Sequence, residues 1–385
     1  MGITRRQYLQ ASGSLVALAA AGQGRLALAQ DDPGLPKTMV WSTYDVGSTG
    51  YVEASAIADA FGKKYGTRVR LQPSGSSIGR TQPVLRKRVP FGWLANEVFF
   101  ACEGMYEFCT PQWGPQDLRV LAGRPASLGM AVTKVSGIKS AADLKGKRLA
   151  YAKANTSVNA KMEPILAFGG LTLDDMELVE VPSYGASMKA LVEGRADACG
   201  VAPTAATMYE LEASPNGIGW VPMPASDTKG WARAQQMLPI ISPYEESIGA
   251  GLSKEHPVWM IGYHYPMITV RTDFDADQAH AMLKAVVDTF DLYKDAAPIM
   301  PNWAIQEASK PPMDAPFHDG AIRFLQEIGH WDDDKQAWQD GMVKRHEALK
   351  AAWQDFIATP EAKSANDSDL RGLWGEQRQQ VVDSL

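Results

Sequence analysis

The strongest constraint in this sequence is a unit that recurs along its first two hundred residues: a short apolar strand, a loop of small residues, then a helix. Thr38 to Ser42 is a β-forming run that feeds Gly47-Ser48-Thr49-Gly50, and Val52, Ala56, Ile57, Ala60 and Phe61 follow at helical spacing up to Gly62 and Gly66. Arg68 to Gln72 alternates as a strand and enters Pro73-Ser74-Gly75-Ser76-Ser77. After Gly137-Ile138-Lys139-Ser140, the pair Ser140 and Asp143 has the spacing of a capping box. Strands are predicted at Arg148 to Lys153, Glu177 to Val181 and Ala196 to Val201. Between them lie helices that open at Asn155-Thr156-Ser157 and Ser183 and close at Gly169-Gly170 and Gly194. Strand, loop and helix in strict alternation predict parallel sheets whose loops gather at the strand carboxyl ends.

Length and composition narrow the class further. At 385 residues the chain exceeds one ordinary core, which points to two lobes or one large α/β domain. The balance of 38 Lys and Arg against 44 Asp and Glu carries no polyphosphate-binding surface, so no nucleic-acid partner is expected. The three cysteines, Cys102, Cys109 and Cys199, form neither a C-x-x-C pair nor a Cys/His cluster, and no metal or cofactor is expected. Cys102 closes the apolar run Val98 to Ala101, read as a strand. Seven helical residues would put Cys109 about 10 Å away, too far to bridge, so buried thiols are expected. Residues 1–29 read as a cleavable export signal, with Arg5 and Arg6, an apolar stretch from Ala11 to Ala21 and Ala27-Leu28-Ala29 before Gln30. The opening TRRQYLQ has the paired arginines of a twin-arginine signal, which exports folded protein.

Beyond Pro222 the periodicity loosens until a strand at Tyr263 to Arg271. Helices are then predicted at Ala276 to Tyr293 and Gly320 to Ile328, with a long one carrying Trp338, Met342, Leu349, Trp353 and Phe356.

In this order the segments resemble the two-lobed periplasmic binding proteins of bacteria, and more narrowly the TAXI family of binding proteins that serve tripartite TRAP transporters. The resemblance is carried by the Gly47 to Gly50 loop, Pro73 to Ser77, Leu118-Arg119-Val120-Leu121-Ala122-Gly123, Gly137 to Arg148, Leu171-Thr172-Leu173-Asp174-Asp175, Leu191 to Ala198 and Pro316 to Phe324. Tyr44-Asp45 replaces glycine in the first loop, and the tail after Trp331 is unusually long. The resemblance implies a type II periplasmic binding protein: an α/β chain of two Rossmann-like lobes with a ligand cleft between them. Residues 30–125 are expected to begin lobe 1 and 126–262 to form lobe 2. Residues 263–385 are expected to return through a hinge strand and pack their helices on lobe 1. It further implies a monomeric, non-enzymatic periplasmic subunit that hands a solute to membrane permease subunits, with a dicarboxylate, 2-oxoglutarate or glutamate heading the ligands.

A binding protein must replace its ligand's hydration with converging donors, and small-residue loops at helix N-termini supply free N–H groups in a field that favours anions. Ser48, Thr49, Ser76 and Ser77 are the expected ligand-binding residues of lobe 1, and Asn155, Thr156, Ser157 and Gly185 those of lobe 2. Tyr44, Tyr106 and Tyr184 are expected to wall the ligand. Arg80, Arg124 and Lys153 stand near loop ends, where an arginine fork would clamp a carboxylate, while Asp45 and Glu103 suit an amino group. A rival reading attaches to Gly75-Ser76-Ser77-Ile78-Gly79, which matches the G-x-S-x-G nucleophile elbow of a serine hydrolase with Ser77 as nucleophile. A sensor subunit that signals to a membrane kinase fits the same pattern.

Overall fold

A computed structural model describes residues 33–238 and 240–385. The export-signal reading lies outside the described residues. Among them no helix is long and apolar enough to cross a membrane.

The predicted strand-helix units fold into two mixed sheets that share one strand. The first contains β1 (Thr38–Thr43), β2 (Arg68–Pro73), β3 (Phe91–Leu94), β4 (Leu118–Thr133), β9 (Ser242–Glu246) and β10 (Val258–Arg271). Its order is β2-β1-β3-β10-β4: β1 runs parallel to β2 and β3, and β10 runs antiparallel to β3, β4 and β9. The second sheet takes the far half of β4 and adds β5 (Arg148–Ala152), β6 (Glu177–Val181), β7 (Ala198–Val201) and β8 (Ile218–Trp220). Here β4 runs antiparallel to β7 and β8, and β5 lies parallel between β7 and β6. We call the layers built on these sheets lobe 1 and lobe 2. The α/β class expected from the alternation is the class observed.

The helices between strands are α1 (Thr49–Tyr65), α2 (Ser77–Leu85) and α3 (Glu97–Glu103) on lobe 1. Lobe 2 holds α4 (Thr156–Phe168), α5 (Tyr184–Val192), α6 (Ala206–Ala213) and α7 (Thr228–Met237). Helices α8 (Ala276–Asp288), α9 (Asp319–Glu327), α10 (Asp333–Ala358) and α11 (Asp367–Asp383) complete the chain. Local chemistry sets their ends. Gly66 stops α1 in the left-handed region at φ 69°, returning its N–H to Gly62 O as a residue with a Cβ rarely does. The Ser140 and Asp143 capping box forms as spaced, around a short 3-10 turn.

Three local readings need correction. Val98 to Ala101 is not a strand but the centre of α3; every residue of that helix is buried, so the run shows no polar face from which a helical period could be read. The helix expected over Ala276 to Tyr293 breaks at Thr289, whose Oγ1 donates to Ala285 O and competes with the backbone ladder. The stretch after Pro222 is structured: Asp227 caps α7 by accepting from Gly230 N, and β9 follows. All three cysteines are free and buried.

Strands β4 and β10 lie side by side for most of their length and carry the connection between lobes. Their register shifts between His264 and Met267, around Tyr265-Pro266, because proline has no N–H for the ladder. The Tyr265 hydroxyl accepts the Gly50 N–H at 3.0 Å, and a Cβ on Gly50 would stand 2.7 Å from that oxygen.

Inside lobe 1 a buried ion pair ties α1 to β4. Arg124 donates from Nε and Nη2 to the two Glu53 oxygens at 2.8 and 2.5 Å, and Trp303 Nε1 adds a third donor at 2.6 Å. Removing one partner of such a pair strands the other charge without water. Glu53→Ala is therefore expected to lose about 3–5 kcal/mol of unfolding free energy, measured by chemical denaturation, whereas a loss below about 1 kcal/mol would show that the pair is expendable.

Candidate functional site

The four small-residue loops all become helix caps. Ser48 accepts from Tyr51 N, Ser76 from Gly79 N, Asn155 from Val158 N and Ser183 from Ala186 N, so α1, α2, α4 and α5 each start at a side-chain cap. They also meet across the line between lobes. Ser77 N donates to Ala154 O at 3.1 Å, and Ser157 N donates to Ser77 Oγ at 3.2 Å. Asn155 Nδ2 and Tyr184 N both donate to Gly75 O. Thr49 and Thr204 hydroxyls are 2.9 Å apart, and Ala206 N donates to Gly47 O. Asp45 accepts from Gly185 N at 2.9 Å, setting its carboxylate on the N-terminus of α5, where the exposed N–H groups favour an anion. Gly75 has to lack a side chain: a Cβ there would lie 2.5 Å from Asp45 Oδ2 and from Ser183 Cβ. The lobes are closed on one another along this seam.

Behind the seam sits Arg80, with no exposed side-chain surface. Its Nε donates to Glu97 Oε1 at 2.9 Å, its Nη1 donates to Ser74 O, and its guanidinium lies 3.6 Å from the Tyr44 ring centre. The Tyr44 hydroxyl donates to Glu97 Oε2 at 3.1 Å and lies 3.4 Å from the Ser157 hydroxyl. Burial alone would push the Glu97 carboxyl up; the charge and hydrogen bond of Arg80 outweigh it and hold Glu97 below the usual carboxylate range. Arg80 Nη2 is the exception in this cluster, buried and with no hydrogen-bond partner among the described residues.

A second buried chain runs beside it. Lys161 Nζ donates to Ser157 O, Ser157 Oγ and Asn96 Oδ1, and Asn96 Nδ2 donates to Asp314 Oδ2. Burial drives the Lys161 ammonium down to about 7 against the pull of Glu97 and Asp314, and drives the Asp314 carboxyl up to about 7.

Tyr44, Asp45, Ser48, Thr49, Ser76, Ser77, Arg80, Asn155, Ser157, Tyr184 and Gly185 thus stand on the seam or directly behind it. Tyr184 gives it a floor, its hydroxyl accepting from Ala202 N. Tyr106 and Thr156 line a pocket at its edge, described below. The remaining charges are engaged elsewhere: Glu103 accepts from Arg345 and Arg378 of the C-terminal helices, Arg124 is held by Glu53, and Lys153 pairs with Glu180 on the surface. Ser77 of the G-x-S-x-G sequence accepts the Ser157 N–H, which is the bond of a strut between lobes. Glu97, Asn96, Lys161 and Asp314 were not read from the sequence. A lysine and two acids on otherwise apolar stretches were the available signal, and it identifies no partner.

Lys161 binds its proton less firmly in the fold than in an unfolded chain, so its protonation opposes folding. The cost is absent above the ordinary lysine range, grows as pH falls from about 10.5, and is complete below about 7. Measured by denaturation across that window, wild type should lose stability relative to Lys161→Met as pH falls from 10 to 7. A difference that stays flat would show that Lys161 titrates as an exposed lysine does.

The family model described as the NMT1-like family matches residues 42–329. No protein of curated function matches the chain. Among solved structures, a protein of Bordetella bronchiseptica RB50 is similar at 15% identity and TM-score 0.45, covering 89% of this chain and 98% of its own. PhnD1 of Prochlorococcus marinus MIT 9301, in complex with methylphosphonate, is similar at 11% identity and TM-score 0.47, over 77% of this chain and 100% of its own. The alkanesulfonate-binding protein SsuA of Xanthomonas axonopodis pv. citri, bound to MOPS, is similar at 14% identity and TM-score 0.41, over 76% and 91%.

Proposed function

We propose that this chain, which belongs to the NMT1-like family, is the solute-binding subunit of a membrane transporter of the TAXI-type TRAP class, working in the periplasm after twin-arginine export. It captures a small carboxylate-bearing solute between its lobes and hands it, as a monomer, to permease subunits. The observation that carries the reading is Arg80: a guanidinium fully buried behind a seam of helix N-termini, with one amine unpartnered among the described residues. An unpartnered buried donor costs about 1–3 kcal/mol, more when charged, and a carboxylate oxygen would remove that cost.

In this mechanism no bond is made or broken. The solute settles on lobe 1, where Arg80 and the Ser76 and Ser77 loop supply donors. Lobe 2 then adds the N-terminus of α4, and ligand contacts available only in the closed form shift the population toward it. Asp45 supports the reading in a different way. It occupies the α5 N-terminus with the chain's own carboxylate, so closure has a polar contact that needs no ligand.

The test is native mass spectrometry of the exported protein for a co-purified solute, followed by thermal unfolding with a panel of dicarboxylates, 2-oxo acids and amino acids. At a hundred times its dissociation constant a true ligand adds about 2.7 kcal/mol of stability. Arg80→Lys keeps the charge and loses the fork, and is expected to weaken binding at least tenfold. If no acid stabilises the wild type, the carboxylate assignment fails. Stoichiometric labelling of Ser77 by a serine-reactive phosphonate would replace transport with hydrolysis.

A further inference from the structure

At the edge of the seam lies a pocket of about 280 Å³ that draws on three parts of the chain: Tyr106 and Glu107 from lobe 1, Tyr151, Asn159 and Glu163 from lobe 2 with Lys153 at the rim held by Glu180, and Arg371 from α11. Two buried acceptors in its lining lack partners among the described residues. Asn159 is 4% exposed; its Nδ2 donates to Ala152 O, and its Oδ1 has no hydrogen-bond partner among the described residues. Glu107 Oε2 is likewise buried and unpartnered. Burial holds the Glu107 and Glu163 carboxyls above their usual range, and at Glu107 it outweighs the opposing hydrogen bond of Thr156 and the charge of Arg80. The aromatic walls are Tyr106 and Tyr151, whose ring faces attract a cation.

The loop that presents Glu107 is held from outside the family match. Tyr106 stands at φ 52°, a left-handed conformation that a bulky side chain adopts only where its surroundings impose it. Just before it, Glu103 is clamped by Arg345 of α10 and Arg378 of α11, while Trp374 Nε1 donates to Glu103 O at 2.9 Å. Those helices begin at Asp333, after the match ends at residue 329.

We propose that this pocket is an ammonium subsite of the solute chamber, completed by the C-terminal helices, in which the amine of a small amino acid donates to Glu107 and Asn159 between the Tyr106 and Tyr151 rings. This rests on the solute-binding reading and narrows it. The volume is at the small end for a ligand site, which suits a head group alone.

Titration calorimetry on the mature full-length chain, with matched pairs, tests it: L-glutamate with 2-oxoglutarate, L-alanine with pyruvate, and L-phenylalanine with phenylpyruvate. The amino member of at least one pair should bind tenfold or more tightly than its oxo partner. Glu107→Gln should cost that amino acid tenfold or more and its oxo acid less than twofold, with Glu163→Gln as a second variant at the outer wall moving in the same direction. Equal binding within every pair, or equal losses on Glu107→Gln, would overturn the subsite and leave the solute-binding reading in place. Binding of an acid outside these pairs with no amine preference does the same. Absence of binding by any small solute overturns both.

Discussion

Arg80 is the charge around which the two lobes are assembled. Taking a guanidinium fully out of water carries a penalty of several kcal/mol even after relaxation, so its surroundings must be built to meet it. Glu97 meets most of it with an ion pair, Ser74 O with a neutral hydrogen bond, and the Tyr44 ring with its face. Each of these neighbours is then constrained in turn. Glu97 needs α3 to start at that point, and Asn96, one residue earlier, takes up Lys161 from the other lobe. Tyr44 needs Ser157. A single buried cation on α2 therefore fixes α3 within lobe 1 and the start of α4 across the seam.

The seam itself is made of weaker pieces. Its bonds are mostly backbone N–H groups donating to carbonyls, hydroxyls or one carboxylate, and each is worth about 0.5–1.5 kcal/mol net because water replaces it on opening. Gly75 and Gly185 let the backbones approach closely enough for those bonds to form. The contrast in strength matters for function. The Arg80 cluster is costly to disrupt and gives the lobes a defined mating surface, whereas the exchangeable bonds are what the proposed binding cycle would make and break.

This division also decides what could be read from the chain. The caps at Ser48, Ser76, Asn155 and Ser183 were legible because capping is settled within three residues: a small polar side chain precedes an apolar period and finds its donor locally. The strand-loop-helix alternation was legible for the same reason and carried the α/β class with it. Helix α3 was not, since burial on all sides erases its period, and α7 went unread although Gly230, Trp231 and Ala234 form one buried face behind the Asp227 cap. Charged residues were the hardest. Glu103 and Arg80 both sit beside small-residue segments, yet Glu103 is taken by arginines 242 and 275 residues away in sequence, while Arg80 is met by a glutamate 17 residues on. Nothing local distinguishes those fates.

The C-terminal helices show how far such long-range partnering reaches. Their own core, with Leu349, Trp353, Phe356, Leu370 and Trp374, is separate from the main one and includes Cys109 of lobe 1. Trp353 and Trp374 meet edge to face at 4.9 Å between ring centres, and Gly114 presses against Trp353 where a Cβ would lie 2.2 Å from its Nε1. Aromatic packing thus fastens the helix pair to the segment from Cys109 to Gly114, and the Glu103 clamp fastens it to the end of α3. Between those two attachments lies the loop bearing Tyr106 and Glu107. A segment anchored at both ends by the same external element has little freedom to relax, which is the physical condition under which a bulky residue such as Tyr106 keeps a left-handed backbone. The tail therefore acts on the edge of the seam as a brace, through packing that begins more than two hundred residues later in the chain.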